Sequence, residues 1–204
     1  MTSTSAAQAV ESPWSGGVAP FATSWQKLMM WIFIVTDGLL FGGLLVGYGV
    51  VRVVSAAWPE QSTVFDMNYI TLMTFTLITS SATMASGVSA AAAGKKSTAT
   101  WFVWLTILGG VSFLGMQAYE WTHLIHAGAR LTSNPWGVPQ FSSAFFIITG
   151  FHGAHVFTGV TILLIVAIRT ALGRYSPEGV ELAGLYWHFV DLVWVFVFAL
   201  FYLV

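Results

Sequence analysis

The chain contains no cysteine. Disulfides, iron–sulfur clusters and thiolate zinc sites are thereby excluded, and thiol usage says nothing about redox compartment. Charge is nearly as scarce, with Asp, Glu, Lys and Arg together making up 7% of 204 residues. A water-soluble domain of this size needs more charge than that to cover its surface. A basic footprint is missing too, since the net charge is −1, and this argues against a nucleic-acid partner.

Apolar and aromatic residues fill the space that charge leaves: 56% of the chain is hydrophobic, with ten Trp and sixteen Phe. They gather into five runs, roughly 28–54, 69–93, 100–125, 141–168 and 182–204. Each is long enough to cross a bilayer at about 1.5 Å per helical residue. Charged and turn-forming residues separate them: Arg52 with Trp58-Pro59-Glu60, Gly94-Lys95-Lys96, Arg130 through Pro135, and Arg169 to Glu181. A transmembrane barrel would alternate polar and apolar residues over about ten positions, which these runs do not do. The reading is an all-α integral membrane protein: one domain, 25–204, built as a bundle of five transmembrane helices. No internal repeat is evident.

Residues 1–24 are rich in Ser, Ala, Thr, Gly and Pro, with Glu11 as their single charge. They lack the basic start and early apolar core of a secretory signal and the arginines of a mitochondrial presequence, so a flexible tail is expected. Lys27, Lys95, Lys96, Arg169 and Arg174 fall on the N-terminal side of the bundle, against Arg52 and Arg130 on the other. The positive-inside rule then puts the N-terminus in the cytoplasm and the C-terminus outside. Two rows at spacing four, Gly38/Gly42 with Gly43/Gly47 and Ser81/Ala85/Ser89/Ala93, read as faces where helix backbones approach closely. Phe145, Phe146, Phe157, Trp194, Phe196 and Phe198 read as lipid- or subunit-facing surface.

Ionisable side chains inside apolar runs are costly and rarely face lipid, so each requires an account. Asp37 sits near the middle of the first run, and a lone carboxylate there must be paired or neutral. It serves either a proton- or lipid-linked role or a neutral hydrogen bond to a neighbouring helix. Glu120 and His123 form Glu-x-x-His, half of a di-iron carboxylate pattern, but no second such motif accompanies them. An interfacial salt bridge or lipid-headgroup contact fits them better. His152 and His155 share one helix face, as do His188 and Asp191. Convergence of the four admits a haem or metal site. It also admits an interhelical network running from His152 or His155 to Asp191, which is the preferred reading.

These stretches carry a family resemblance. Gly150-Phe151-His152-Gly153-Ala154-His155-Val156 resembles the GFHGxHV signature of subunit III of haem–copper respiratory oxidases, and Tyr186 through Trp194 resembles its terminal YWHFVDxVW. Gly115 through Trp121 is similar to the family's GQAYEY, and Ile78-Thr79-Ser80-Ser81 to its xxSS. The resemblance covers all five runs in order. Thr36-Asp37 stands where the family often has Ser-Glu, shortening the acid by one methylene. Many members have seven helices, so this chain resembles the short bacterial form that lacks the first two.

The resemblance implies a non-catalytic subunit III of a bacterial cytochrome c or quinol oxidase in the inner membrane. Such a subunit carries neither haem nor copper, which lie in partner subunits. It packs on the catalytic subunit I, with subunit II and further respiratory subunits in the same complex, holds phospholipid, and sustains proton uptake. Asp37, Glu120 and His123 inherit the lipid and proton-uptake role; His152, His155, His188 and Asp191 inherit a structural polar network. Two alternatives remain at the level of sequence: a related accessory of a nitric oxide reductase, and a haem-binding electron carrier built on the histidines.

Overall fold

In the computed structural model, which describes residues 23–203, the chain is all-helical. Helix α1 spans Trp25–Val54, α2 Gln61–Val64, α3 Met67–Ala92, α4 Lys96–His126, α5 Pro139–Ala171 and α6 Pro177–Val197. A π-helical segment, Phe198–Leu203, continues α6. The tail expected at 1–24 lies outside the described residues except for its last two.

The helix ends follow local chemistry. Ser24 and Ser176 accept from the backbone N–H of Lys27 and Gly179, and Asp66 accepts from those of Asn68 and Tyr69, so each satisfies orphan donors of a first turn. Proline opens both α5 and α6, where its missing N–H costs nothing. Gly94, Gly128 and Gly173 take positive φ just past α3, α4 and α5, a conformation that ends a helix without a Cβ penalty.

Four of these helices, α1, α4, α5 and the continuous α6–π segment, are long and apolar enough to cross a membrane. Five were expected. The run at 69–93 does form a helix, but the serines and threonines distributed along α3 lower its hydropathy below that of the others.

Helix α6 lies at the centre, against α1, α3 and α5, while α3 packs on α4 and α4 on α5. Helix α1 is peripheral and buries little beyond Asp37, Phe41 and Tyr48. Of the small-residue rows only the first members, Gly38 beside Phe189 and Ser81 beside His188, meet α6. No neighbouring atom comes within 4 Å of a Cβ built on Gly42, Gly43 or Gly47, and Ala85, Ser89 and Ala93 are exposed. The close approaches surround Trp187 instead. A Cβ on Gly110 would stand 2.4 Å from its indole and one on Gly159 2.9 Å, so two glycines on α4 and α5 form the slot that admits the ring. The aromatic surface also needs correction: Phe145 and Trp194 are fully enclosed, whereas Phe157 and Phe196 are exposed. Helices that are apolar on every side do not reveal from sequence which side turns inward.

Candidate functional site

Each polar residue singled out from sequence has a definite place. Asp37 on α1 faces α5, and its Oδ2 lies 3.3 Å from His155 Nε2. The other ring nitrogen, Nδ1, is 2.8 Å from the Phe151 carbonyl oxygen, which can only accept. Nδ1 therefore carries a hydrogen, the tautomer is fixed, and Nε2 is turned to the carboxyl group. The contact sets a basic ring nitrogen beside a buried carboxyl group, each the natural counterpart of the other in an apolar setting.

The surroundings hold that geometry. Phe41 presents its edge to the His155 ring at 5.2 Å and packs on Phe151 at 4.9 Å. Tyr186 on α6 donates its hydroxyl to the His155 carbonyl at 3.2 Å and stacks on Phe33 of α1. His155, Tyr186, Phe33 and Met30 line an apolar groove of about 590 Å³ between α1, α5 and α6.

His152, one turn before His155, has a different environment. It is wholly buried, with its ring 5.0 Å from Trp194 and 5.7 Å from Phe113, and neither ring nitrogen has a hydrogen-bond partner among the described residues. His188 on α6 lies 2.7 Å through Nδ1 from Ser81 Oγ on α3. Asp191, one turn on, keeps a buried Oδ1 without a partner. The four residues expected to converge are thus divided. His155 is joined to Asp37, His188 to Ser81, and neither α5 histidine is paired with Asp191.

Glu120 on α4 is buried, and the Tyr202 hydroxyl donates toward both its oxygens, at 3.2 and 3.3 Å. His123 is exposed one turn further on. Both border a groove of about 620 Å³ between α3 and α4. Among the described residues no group of three or more His, Asp or Glu side chains is placed to hold a metal ion.

Tryptophans form cross-links that the motif residues did not suggest. The Trp187 and Trp194 indoles donate to Ser80 and Thr74 on α3, each at 3.1 Å, and Trp121 donates to Thr149 at 3.2 Å. Gln117 adds a 2.6 Å bond from its amide to the Thr149 carbonyl. The sequence did carry a signal for these bonds, because a buried indole N–H requires an acceptor and α3 is unusually rich in hydroxyls.

Long apolar helices joined by buried polar side chains define a helical membrane protein. Comparison with known proteins gives the family. A profile described as Cytochrome c oxidase subunit III matches residues 6–204. Cytochrome c oxidase subunit 3 of Thermostichus vulcanus is 35% identical over 183 residues, covering 87% of each chain. Probable cytochrome c oxidase subunit 3 of Nocardia farcinica is 34% identical over 177 residues, covering 85% of each. Probable quinol oxidase subunit 3 of Staphylococcus saprophyticus is 30% identical over 185 residues, covering 88% of this chain and 89% of the relative. The chain belongs to the cytochrome c oxidase subunit III family.

Proposed function

We propose that this oxidase subunit III works without redox chemistry of its own. In this reading it packs on subunit I of a bacterial haem–copper terminal oxidase in the inner membrane, with subunit II in the same complex. It keeps phospholipid in place and sustains proton uptake while the partners reduce oxygen to water. Haem and copper belong to those partners. The N-terminus lies in the cytoplasm and the C-terminus outside, as the five Lys and Arg on one side against two on the other favour.

That orientation has α3 accompany the spanning helices. Its support is hydrogen bonding: Thr71, Thr74, Thr76, Ser80 and Ser86 each donate to a carbonyl of the same helix, three or four residues back. Hydroxyls satisfied in this way do not require water.

The observation that carries the reading is the Asp37–His155 pair, an acid and a base set side by side within two apolar helices beside an apolar groove of about 590 Å³. Intramembrane ionisable pairs of this kind mark proton- and lipid-linked sites. The test is an Asp37→Asn variant in the assembled oxidase. The initial oxygen-reduction rate should match wild type, and the number of turnovers before inactivation should fall. Wild-type endurance would remove Asp37 from the proposed role. Failure of the tagged chain to co-purify with a haem–copper subunit would refute the assignment as a whole. A Soret band from the chain alone, lost on His155→Ala, would favour a haem-binding carrier.

A further inference from the structure

Helix α3, the long helix that is less apolar than its neighbours, changes character along its exposed side. Leu72 and Phe75 are exposed in its first half. From Ile78 to Ser89 the exposed residues are Ile78, Thr79, Ala82, Ala85, Ser86 and Ser89. Small and hydroxyl side chains of this kind give acyl chains little apolar area to cover. They let a second helix come close instead.

The same stretch of α3 borders a polar cluster on α6. Ser81 Oγ is 2.7 Å from His188 Nδ1, and the Ser81 hydroxyl also interacts with Asp191, one turn further along α6. Its single hydrogen serves only one of these neighbours at a time. Asp191 Oδ1 is enclosed without a hydrogen-bond partner, so the cluster is short of partners within the described residues. His188 Nε2 is neither hydrogen-bonded nor enclosed, and the three side chains are half-buried. His188 and Asp191 stand in the central part of the 27-residue α6–π segment, away from both of its ends. At such depth an open ring nitrogen finds no water, and polar groups there rarely face lipid. Helices α1 and α3 both flank α6, and where α6 begins they part over a cavity of about 450 Å³ bounded by Lys27, Val88 and Glu181.

We propose that this side of α3 and α6 receives a transmembrane helix of the catalytic partner subunit. A hydroxyl or amide side chain of that helix hydrogen-bonds His188 Nε2, and its backbone passes close over Ala85 and Ser89. This deepens the reading of the chain as a subunit packed on its catalytic partner, and rests on it, by naming the face that docks. Hydrogen-bonding chemistry selects the occupant. Acyl chains neither donate nor accept, whereas Ser, Thr, Asn and Gln side chains do both and so match either tautomer of His188.

The experiment is photocross-linking in the assembled oxidase from a diazirine-bearing residue placed at position 85 or 89. Both positions should couple to a helix of the haem–copper subunit. Adducts with lipid alone, or with a second copy of this chain, overturn the proposal. Affinity of the chain for the remaining oxidase subunits in detergent gives an independent reading. Ala85→Leu should weaken it about tenfold by holding the helices apart, with the melting temperature of the isolated chain unchanged because Ala85 is exposed there. His188→Leu should weaken it to a similar extent, and His188→Gln, which keeps a polar side chain, should retain most of it. Undiminished affinity in Ala85→Leu, or equal affinity in the Gln and Leu variants, overturns the proposal. Co-purification of a haem–copper subunit together with lipid-only adducts would leave oxidase membership standing and remove this face from the interface.

Discussion

His155 reaches across from α5 to place Nε2 3.3 Å from the Asp37 carboxyl on α1, while its Nδ1 hydrogen is committed to Phe151. Helix α1 makes few other polar contacts with the bundle, so this pair is a principal polar tether of the most peripheral helix. Removing one member leaves its partner buried without a counterpart, which costs more than removing both.

A double-mutant cycle tests this. Asp37→Asn and His155→Gln singly should each lower stability in detergent, and the double variant should recover part of the loss. A coupling of about 1–2 kcal/mol is expected, the upper range for polar pairs within membranes. Purely additive losses in denaturant titrations would show that the tether contributes nothing.

His152 should respond in the opposite sense. Its ring nitrogens are buried without partners between Phe113 and Trp194, so the native state bears their desolvation with no hydrogen bond in return. His152→Phe keeps a ring in the cage and removes both orphan atoms. Its melting temperature should equal or exceed that of wild type, and a fall of several degrees would mean that the nitrogens have a partner.

Glycine substitutions should separate inner from outer faces. Gly110→Ala would drive its Cβ against the Trp187 indole, and the overpacking should cost about 1–3 kcal/mol. Gly43→Ala meets nothing within 4 Å and should stay within about 0.5 kcal/mol of wild type in the isolated chain. Thermal melts of the two variants side by side check the packing of α4 on α6, and equal melting temperatures would count against it.

The ion pair between Lys27 and Glu181 joins the start of α1 to the first turns of α6 at the bundle's end. The side chains are 32% and 40% exposed, so with solvent screening the pair should be worth at most about 1 kcal/mol. Lys27→Glu should cost no more than that at low salt, and Lys27→Glu with Glu181→Lys should restore it. Half-molar salt should erase the difference.

Much of this architecture was legible beforehand, for identifiable reasons. Charge and turn residues bracket each apolar run, so the helices fell where expected, and spacing three put His152 and His155 on one side of α5. Spacing along one helix says nothing about which neighbour that side meets. Asp37 as the partner of His155 therefore became visible only once α1 was seen docked against α5. The same limit explains Phe145 and Trp194, which carry the same apolar signature as exposed Phe157 and Phe196. Tyr202 as the partner of Glu120 was hidden for another reason: the two lie 82 positions apart, on elements whose contact no local pattern encodes.

The slot around Trp187 bears on the order of assembly. Walls from α4 and α5 must already stand side by side before the indole can enter, and α6 leaves the ribosome after both. Until it arrives, α1 lacks its chief neighbour, and the Thr74 and Ser80 oxygens on α3 lack the indole donors they accept from. The keystone of the bundle thus sits on the last of the described α-helices, and every contact through Trp187 is completed only when that helix is in place.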